Sequence, residues 1–133
     1  LLTTDTIQKI AIANPKTAPY GKASIDVLKH YRIYEKVKPK LVFGESISQV
    51  NQFITSGAVD LGFTAYSVVS NTKMKTIGKW TPISLNDHTE ILQAVVTLKR
   101  STNPEEAKAF YSFLFSERAQ EILNKYGYLT PEK

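Results

Sequence analysis

Apolar residues fall in two short runs, each followed by a turn and then by a helical period. Lys9-Ile10-Ala11-Ile12-Ala13 is brief, mostly apolar and closed by Asn14-Pro15, the pattern of a buried strand running into a turn. From Lys22 the period changes: Ala23, Val27, Leu28 and Tyr31 share one helical face, while Lys22, Asp26 and Lys29 lie off it. Lys40-Leu41-Val42-Phe43 repeats the strand and Gly44-Glu45 the turn. Val50, Phe53 and Ile54 repeat the apolar helix face, which Gly57 ends where a left-handed residue is wanted. Strand-turn-helix occurring twice predicts an α/β fold in which both helix starts lie at the carboxyl edge of an open sheet.

The remaining pattern is less regular. Val59 to Val69 mixes a buried strand with the start of a short helix, and Asp60 ahead of it is assigned a structural role, bonding loop amides. Asn71-Thr72-Lys73-Met74-Lys75 is a polar break. Thr76 to Trp80 and Thr81-Pro82-Ile83 read as an extended segment, Pro82 arguing against a central strand and Trp80 reading as a packing residue. Ile91 to Leu98 is an apolar strand. Asn103-Pro104-Glu105-Glu106 starts a helix, with Asn103 as cap and two acids at the positive dipole end, and Ala107, Phe110, Tyr111, Phe113 and Leu114 form its apolar face. Ser116 caps a last helix carrying Ala119, Ile122, Leu123 and Tyr126, which Gly127 terminates.

The candidate chemistry lies at the first two helix starts. Pro19 suits the first helical position, where its missing N–H costs nothing. Ala18 before it carries no side-chain acceptor, so the N–H groups of Tyr20 and Gly21 read as free donors at a positive helix end, with Gly21 letting a ligand approach the backbone. Ser46-Ile47-Ser48-Gln49 reads as a capping box that satisfies a deeper amide and leaves the N–H of Ile47 unpaired. Two backbone donors on neighbouring segments are a means of holding an anion in one crevice.

Several stretches resemble one family. Asn-Pro-x-x-Ala-Pro-Tyr-Gly at 14–21, Pro39-Lys40-Leu41-Val42 with Gly44-Glu45-Ser46-Ile47, and Gly57-Ala58-Val59-Asp60-Leu61-Gly62-Phe63 look like the second half of the periplasmic molybdate-binding proteins of ABC transporters. Ala109 to Leu114 and Ala119 to Tyr128 are similar to that family's ending, so the resemblance covers nearly the whole chain. It implies a type II periplasmic binding-protein fold, here one α/β lobe over 1–80 and, over 81–133, a crossover strand and C-terminal helices belonging largely to the other lobe. It also implies an extracytoplasmic binding component, not an enzyme, that holds molybdate or tungstate through the amides of Tyr20 and Ile47 without a cofactor and delivers it to a membrane permease. Some members add a tyrosine hydroxyl where this chain has Ala65, with Tyr66 beside it. Strand alternation then requires a local shift before Tyr66 can serve. The family's first lobe, with its hydroxyl-bearing loops, has no counterpart in these residues. On that reading the chain is a fragment that binds an oxyanion poorly by itself, and its apolar C-terminal surface favours self-association or segment exchange between copies.

Composition narrows the alternatives. The 133 residues are 42% hydrophobic, enough for a globular domain with a core. The formal charge of +5 assists encounter with an anion. The lysines are scattered apart from Lys36-Val37-Lys38-Pro39-Lys40 and Lys73-Met74-Lys75, which read as solvated loops, and no interleaved aromatic pattern indicates nucleic-acid binding. No apolar run has membrane-spanning length and no signal-peptide pattern is present. With no Cys and only His30 and His88, no nucleophile has an evident base. The runner-up readings are a binding protein for another anion and a metal-assisted hydrolase using Asn86-Asp87-His88-Thr89-Glu90.

Overall fold

The computed structural model describes residues 1–70 and 78–130. They divide into two compact units, Leu1–Ile91 and Leu92–Lys133, so residues 81–91 sit with the first unit, beyond the 1–80 boundary read from the sequence. The polar break at 71–75, its Lys73-Met74-Lys75 cluster and the first two residues of the 76–83 segment lie outside the described residues.

The first unit is built on a three-stranded parallel sheet in the order β2-β1-β3, with β1 at Ile10–Ala13, β2 at Leu41–Gly44 and β3 at Leu61–Gly62. β1 pairs Ile10 with Leu41 through to Ala13 with Gly44 on one side, and Ile10 with Leu61 on the other. All four β1 residues are fully buried. That requires cover on both faces, as parallel sheets have. Successive side chains point to opposite faces. Ala11 and Ala13 pack in a cluster with Val50, Phe53 and Ile54 of α3 (Ile47–Thr55). Ile10 packs with Leu28 of α1 (Pro19–His30) and Val37 of the short α2 (Tyr34–Val37). Burial of Ile10, Ile12 and Leu28 contributes about 2 kcal/mol each. A 3-10 turn over Lys38–Lys40 leads into β2, and the one-turn α4 (Tyr66–Val69) follows β3.

The ends of these helices show how closely local chemistry was followed. Gly57 has φ +70, its N–H donates to the Ile54 carbonyl (3.2 Å), and the Ala58 N–H reaches the Phe53 carbonyl (3.0 Å), a Schellman ending. Helix α1 ends in the same two-bond arrangement without a glycine. Arg32 takes φ 56, its N–H donates to Lys29, and the Ile33 N–H donates to Leu28. Tyr31, placed by periodicity on the buried face, is instead 57% exposed beyond the last turn of α1. At the opposite, amino edge of the sheet, Asp60 Oδ2 accepts the N–H groups of Gln8 (2.7 Å) and Lys9 (2.8 Å) while its own N–H donates to Lys9, the structural role expected of it.

The second unit holds α5 (Pro104–Leu114) and α6 (Glu117–Lys125). Asn103 occupies the cap position of α5 but makes no side-chain cap bond, whereas Ser116 Oγ accepts the Ala119 N–H at 3.3 Å. Gly127 closes α6 at φ 78. Residues 91–98, predicted as a strand, form no ladder among the described residues, and Leu92 and Val96 are each 75% exposed. An apolar strand is stable only against a neighbour that takes its backbone groups, and among the described residues no strand pairs with it. Phe110, Phe113 and Phe115 are likewise exposed. No helix among the described residues is long and apolar enough to cross a membrane.

Two outcomes are expected from this. Replacing Arg32 by Gly relieves a left-handed side-chain conformation, and the gain exceeds the added unfolded-chain entropy. The urea midpoint of Arg32→Gly should rise by an equivalent of about 0.5–1 kcal/mol, with m unchanged. Asp60 is held below the usual carboxylate pKa, first by the Lys9 N–H and then by that of Gln8. A lowered folded pKa gives stability that is present above the unfolded value of about 3.9 and lost as pH falls through the folded one. Denaturation at pH 7 and pH 3 should therefore show Asp60→Asn already weakened at pH 7 and losing less than the parent on acidification.

Candidate functional site

The carboxyl ends of β1 and β2 lie side by side, Ala13 opposite Gly44. One further bond, from the Asn14 N–H to the Gly44 carbonyl (2.7 Å), ties them where the two chains turn away. Asn14 then organises the turn to α1. Its Oδ1 accepts the Lys16 N–H at 3.0 Å, and its carbonyl accepts those of Thr17 (3.2 Å) and Ala18 (2.8 Å). Ala18 has the extended backbone of an N-cap, and no side chain caps the helix. Pro19 is the first helical residue, Tyr20 the second and Gly21 the third.

At α3 the cap is Ser46, whose Oγ accepts the Gln49 N–H at 3.3 Å. Gln49 Oε1 reaches one residue further back than in the usual box and takes the Glu45 N–H at 2.7 Å. Among the described residues, the N–H groups of Ile47 and Ser48 meet no protein acceptor. Ser48 was missed as a second donor. Its signal was present, because a Ser-x-x-Gln box satisfies the third amide and leaves both the first and the second.

The structure therefore brings Tyr20 and Ile47 to adjacent strand ends on the same sheet edge, each in the first turn of a helix. It does not support Gly21 as a free donor: its N–H donates to the Ala18 carbonyl at 3.0 Å. The glycine is needed for another reason. A Cβ there would sit 2.1 Å from the Ala13 carbonyl oxygen and 2.8 Å from the Asn14 carbonyl carbon, so α1 starts directly against the last peptide of β1 and no ligand passes between. Tyr66 also departs from expectation. β3 ends at Gly62, so strand alternation does not govern it, and Tyr66 opens α4 with its ring edge-on to Trp80 (5.4 Å, 80°). The ring is thus engaged with Trp80, while the residue remains 48% exposed.

Electrostatically the two helix starts differ from the two in the second unit. Helices α5 and α6 carry Glu105, Glu106 and Glu117 in their first turns, whereas α1 and α3 carry no acid there. The positive dipole ends at this edge thus carry no acid in their own first turns, an arrangement that suits an external anion. Asn86 to Glu90, the candidate metal loop, lies at the far end of α1. Asp87 accepts from Tyr31 Oη, and His88 Nδ1 lies 2.8 Å from the Thr89 carbonyl oxygen. Among the described residues no three His, Cys, Asp or Glu side chains are grouped to hold a metal ion. A cleft of about 520 Å³ in the second unit has Val95, Val96, Leu98, Phe110 and Tyr111 on its apolar side. It lies beside the 91–98 segment, and Thr97, Arg100, Ser101 and Thr102 add a polar side to it.

Comparison with known proteins agrees with this geometry. Residues 1–129 match the family described as bacterial extracellular solute-binding protein. The chain is 42% identical over 130 residues to the molybdate-binding protein ModA of Rhodobacter capsulatus, covering 98% of this chain and 50% of that protein. Identity to ModA of Azotobacter vinelandii is 36%, over 96% of this chain and 51% of the relative. The chain thus spans about half the length of the curated relatives it matches. The solved periplasmic molybdate-binding protein of Azotobacter vinelandii superposes with a TM-score of 0.88 at 32% identity, over 98% of this chain and 58% of that one. The substrate-binding domain of a putative molybdenum ABC transporter from Clostridium difficile gives 0.72 at 34% identity, over 98% and 56%. The α/β fold is that of a periplasmic binding protein.

Gly21 and Gly57 provide a paired test of the α1 seating. Gly57 has open space around its missing Cβ and only a left-handed φ to lose, so Gly57→Ala should cost about 1 kcal/mol. Gly21→Ala must push the helix start off β1 and should cost about 3 kcal/mol. Urea midpoints in the reverse order would contradict the close approach.

Proposed function

The chain belongs to the bacterial extracellular solute-binding protein family, and from that premise we propose that it forms part of the substrate-binding component of an ABC transporter. It works outside the cytoplasm, binds a tetrahedral oxyanion, molybdate or tungstate, and presents it to a membrane permease. Its role is binding without turnover. The observation that carries the reading is the pair of helix starts without first-turn acids, α1 and α3, set on adjacent strand ends in a chain 42% identical to a molybdate-binding protein.

In this mechanism the amides of Tyr20 and Ile47 donate to anion oxygens, joined by the Ser48 N–H. Backbone donors are fixed by the helices that carry them, so little is reorganised when the ion arrives. They bring no formal charge, so the attraction is strong only once water is excluded. Such a site holds the ion tightly when covered and loosely when open, as a carrier that must release its cargo requires.

Ile47 allows the amide itself to be tested. Ser46 already has the extended backbone that precedes proline (φ −149, ψ 166), and the first helical position tolerates proline. Ile47→Pro therefore removes a donor without breaking α3, while Ile47→Val trims the side chain and keeps the N–H. Titration calorimetry of the full-length encoded protein should show molybdate and tungstate binding. Affinity should fall about tenfold to a hundredfold in Ile47→Pro, the worth of a hydrogen bond to a charged group, and by less than about threefold in Ile47→Val. No heat with either ion would overturn the function, and equal losses in the two variants would overturn the amide contact.

A further inference from the structure

The last residues of the first unit are fastened to the far end of α1, away from the anion edge, by contacts that none of the binding chemistry uses. Tyr31 Oη donates to Asp87 Oδ2 at 2.8 Å, His30 Nε2 lies 3.6 Å from Asp87 Oδ1, and the Thr89 N–H donates to Asp26 Oδ2 at 3.3 Å. The partner turn is itself organised. Leu85–Asp87 is a 3-10 turn in which Ser84 Oγ accepts the Asn86 N–H (3.2 Å) and the Ser84 carbonyl accepts that of Asp87 (3.1 Å). The Asp87 side chain is only 14% exposed although it sits on a surface turn. The chain passes into the second unit directly afterwards, at Ile91–Leu92.

Two residues of α1 and its C-cap Tyr31 thus grip two residues of a segment more than fifty positions later, just before the chain leaves the unit. A loop held only by its own turn would need none of them. We propose that Asp87 is an anchor that locks residues 84–89 onto α1 as one cooperative element, so that any swing of the chain that follows begins after Thr89. The bonds belong together because Asp26 and His30 lie on α1 and Tyr31 is its C-cap, and loss of Asp87 frees the turn that presents Thr89 to Asp26. Asp87 and Tyr31 are positioning residues in this device; neither touches the anion edge.

Amide exchange followed by NMR separates a cooperative anchor from independent surface bonds, since local opening is read amide by amide. In the full-length protein, Asp87→Ala should accelerate exchange of the Thr89 N–H at least about tenfold, although the acceptor of that amide, Asp26, is untouched. Asp26→Asn should accelerate the Asp87 N–H in turn, and the amides of β1 should keep their parental rates in both. Tyr31→Phe, which removes one hydroxyl from a half-exposed ring, should act on Thr89 in the same direction and less strongly. An unchanged Thr89 rate in Asp87→Ala would overturn the anchor. If Asp87→Ala also accelerates β1, Tyr31→Phe decides: faster Thr89 exchange with β1 unchanged supports the anchor, and anything else refutes it.

Discussion

Everything in the first unit depends on burying β1 on both faces. Four residues, Ile10 to Ala13, are completely removed from solvent, and a strand of that kind cannot exist without a helix on each side. The two faces are unlike. Ala11 and Ala13 are small and let α3 close down on the sheet, while Ile10 reaches up to Leu28 of α1. Because the strands are parallel and in register, the helices that supply this cover must both begin at the carboxyl edge. The proposed anion edge is therefore a consequence of how the core is covered, and Gly21, which lets α1 start against the Ala13 carbonyl, is where packing and the proposed site meet.

The same constraint explains what was legible in the residues. The strands, the Pro19 start, the Ser46 cap and the Gly57 ending all depend on chemistry within a few positions, and each lies where its local signal put it. The misread features depend on distant partners or on strain. Nothing in the composition around Arg32 announces a left-handed residue, because that backbone position favours glycine and here a side chain occupies it. Gly21 carries a helix-start signal, but whether its openness faces a ligand or a peptide is decided by β1. Ile91 to Leu98 has every local mark of a strand and forms no ladder, since pairing belongs to two segments and one sequence window sees only one.

Charge is distributed in a way that net values conceal. A formal +5 invites an explanation in which lysines hold the anion. Yet the helix starts at the anion edge are distinguished by what their first turns lack, not by cations: α5 and α6 answer their own dipoles with glutamates, and α1 and α3 do not. An amide donor differs from an ammonium group in two respects that matter for a carrier. It is fixed in direction, so it measures the size and shape of the ion, and its attraction collapses when water returns. Long-range charge can bring an ion close; on the proposed reading the directional part of recognition belongs to the backbone.

Helix α1 thereby has two ends with opposite duties. Its first turn offers positive dipole character and carries no acid, while its last turn, where the dipole is negative, carries Lys29 and His30. Asp87 lands beside that last turn, where a carboxylate set against bare helix carbonyls would be repelled. The Tyr31 hydroxyl and the neighbouring imidazole of His30 stand between them and make the landing favourable. Two of these bonds shift a titrating group: Asp87 raises the Tyr31 phenol above its usual pKa, and Thr89 lowers the Asp26 carboxyl below its own, so the phenol keeps its proton and the carboxyl stays charged across the neutral range. One helix thus connects the amides proposed to face the anion to the point where the chain leaves the first unit, and neither end shares a side chain with the other.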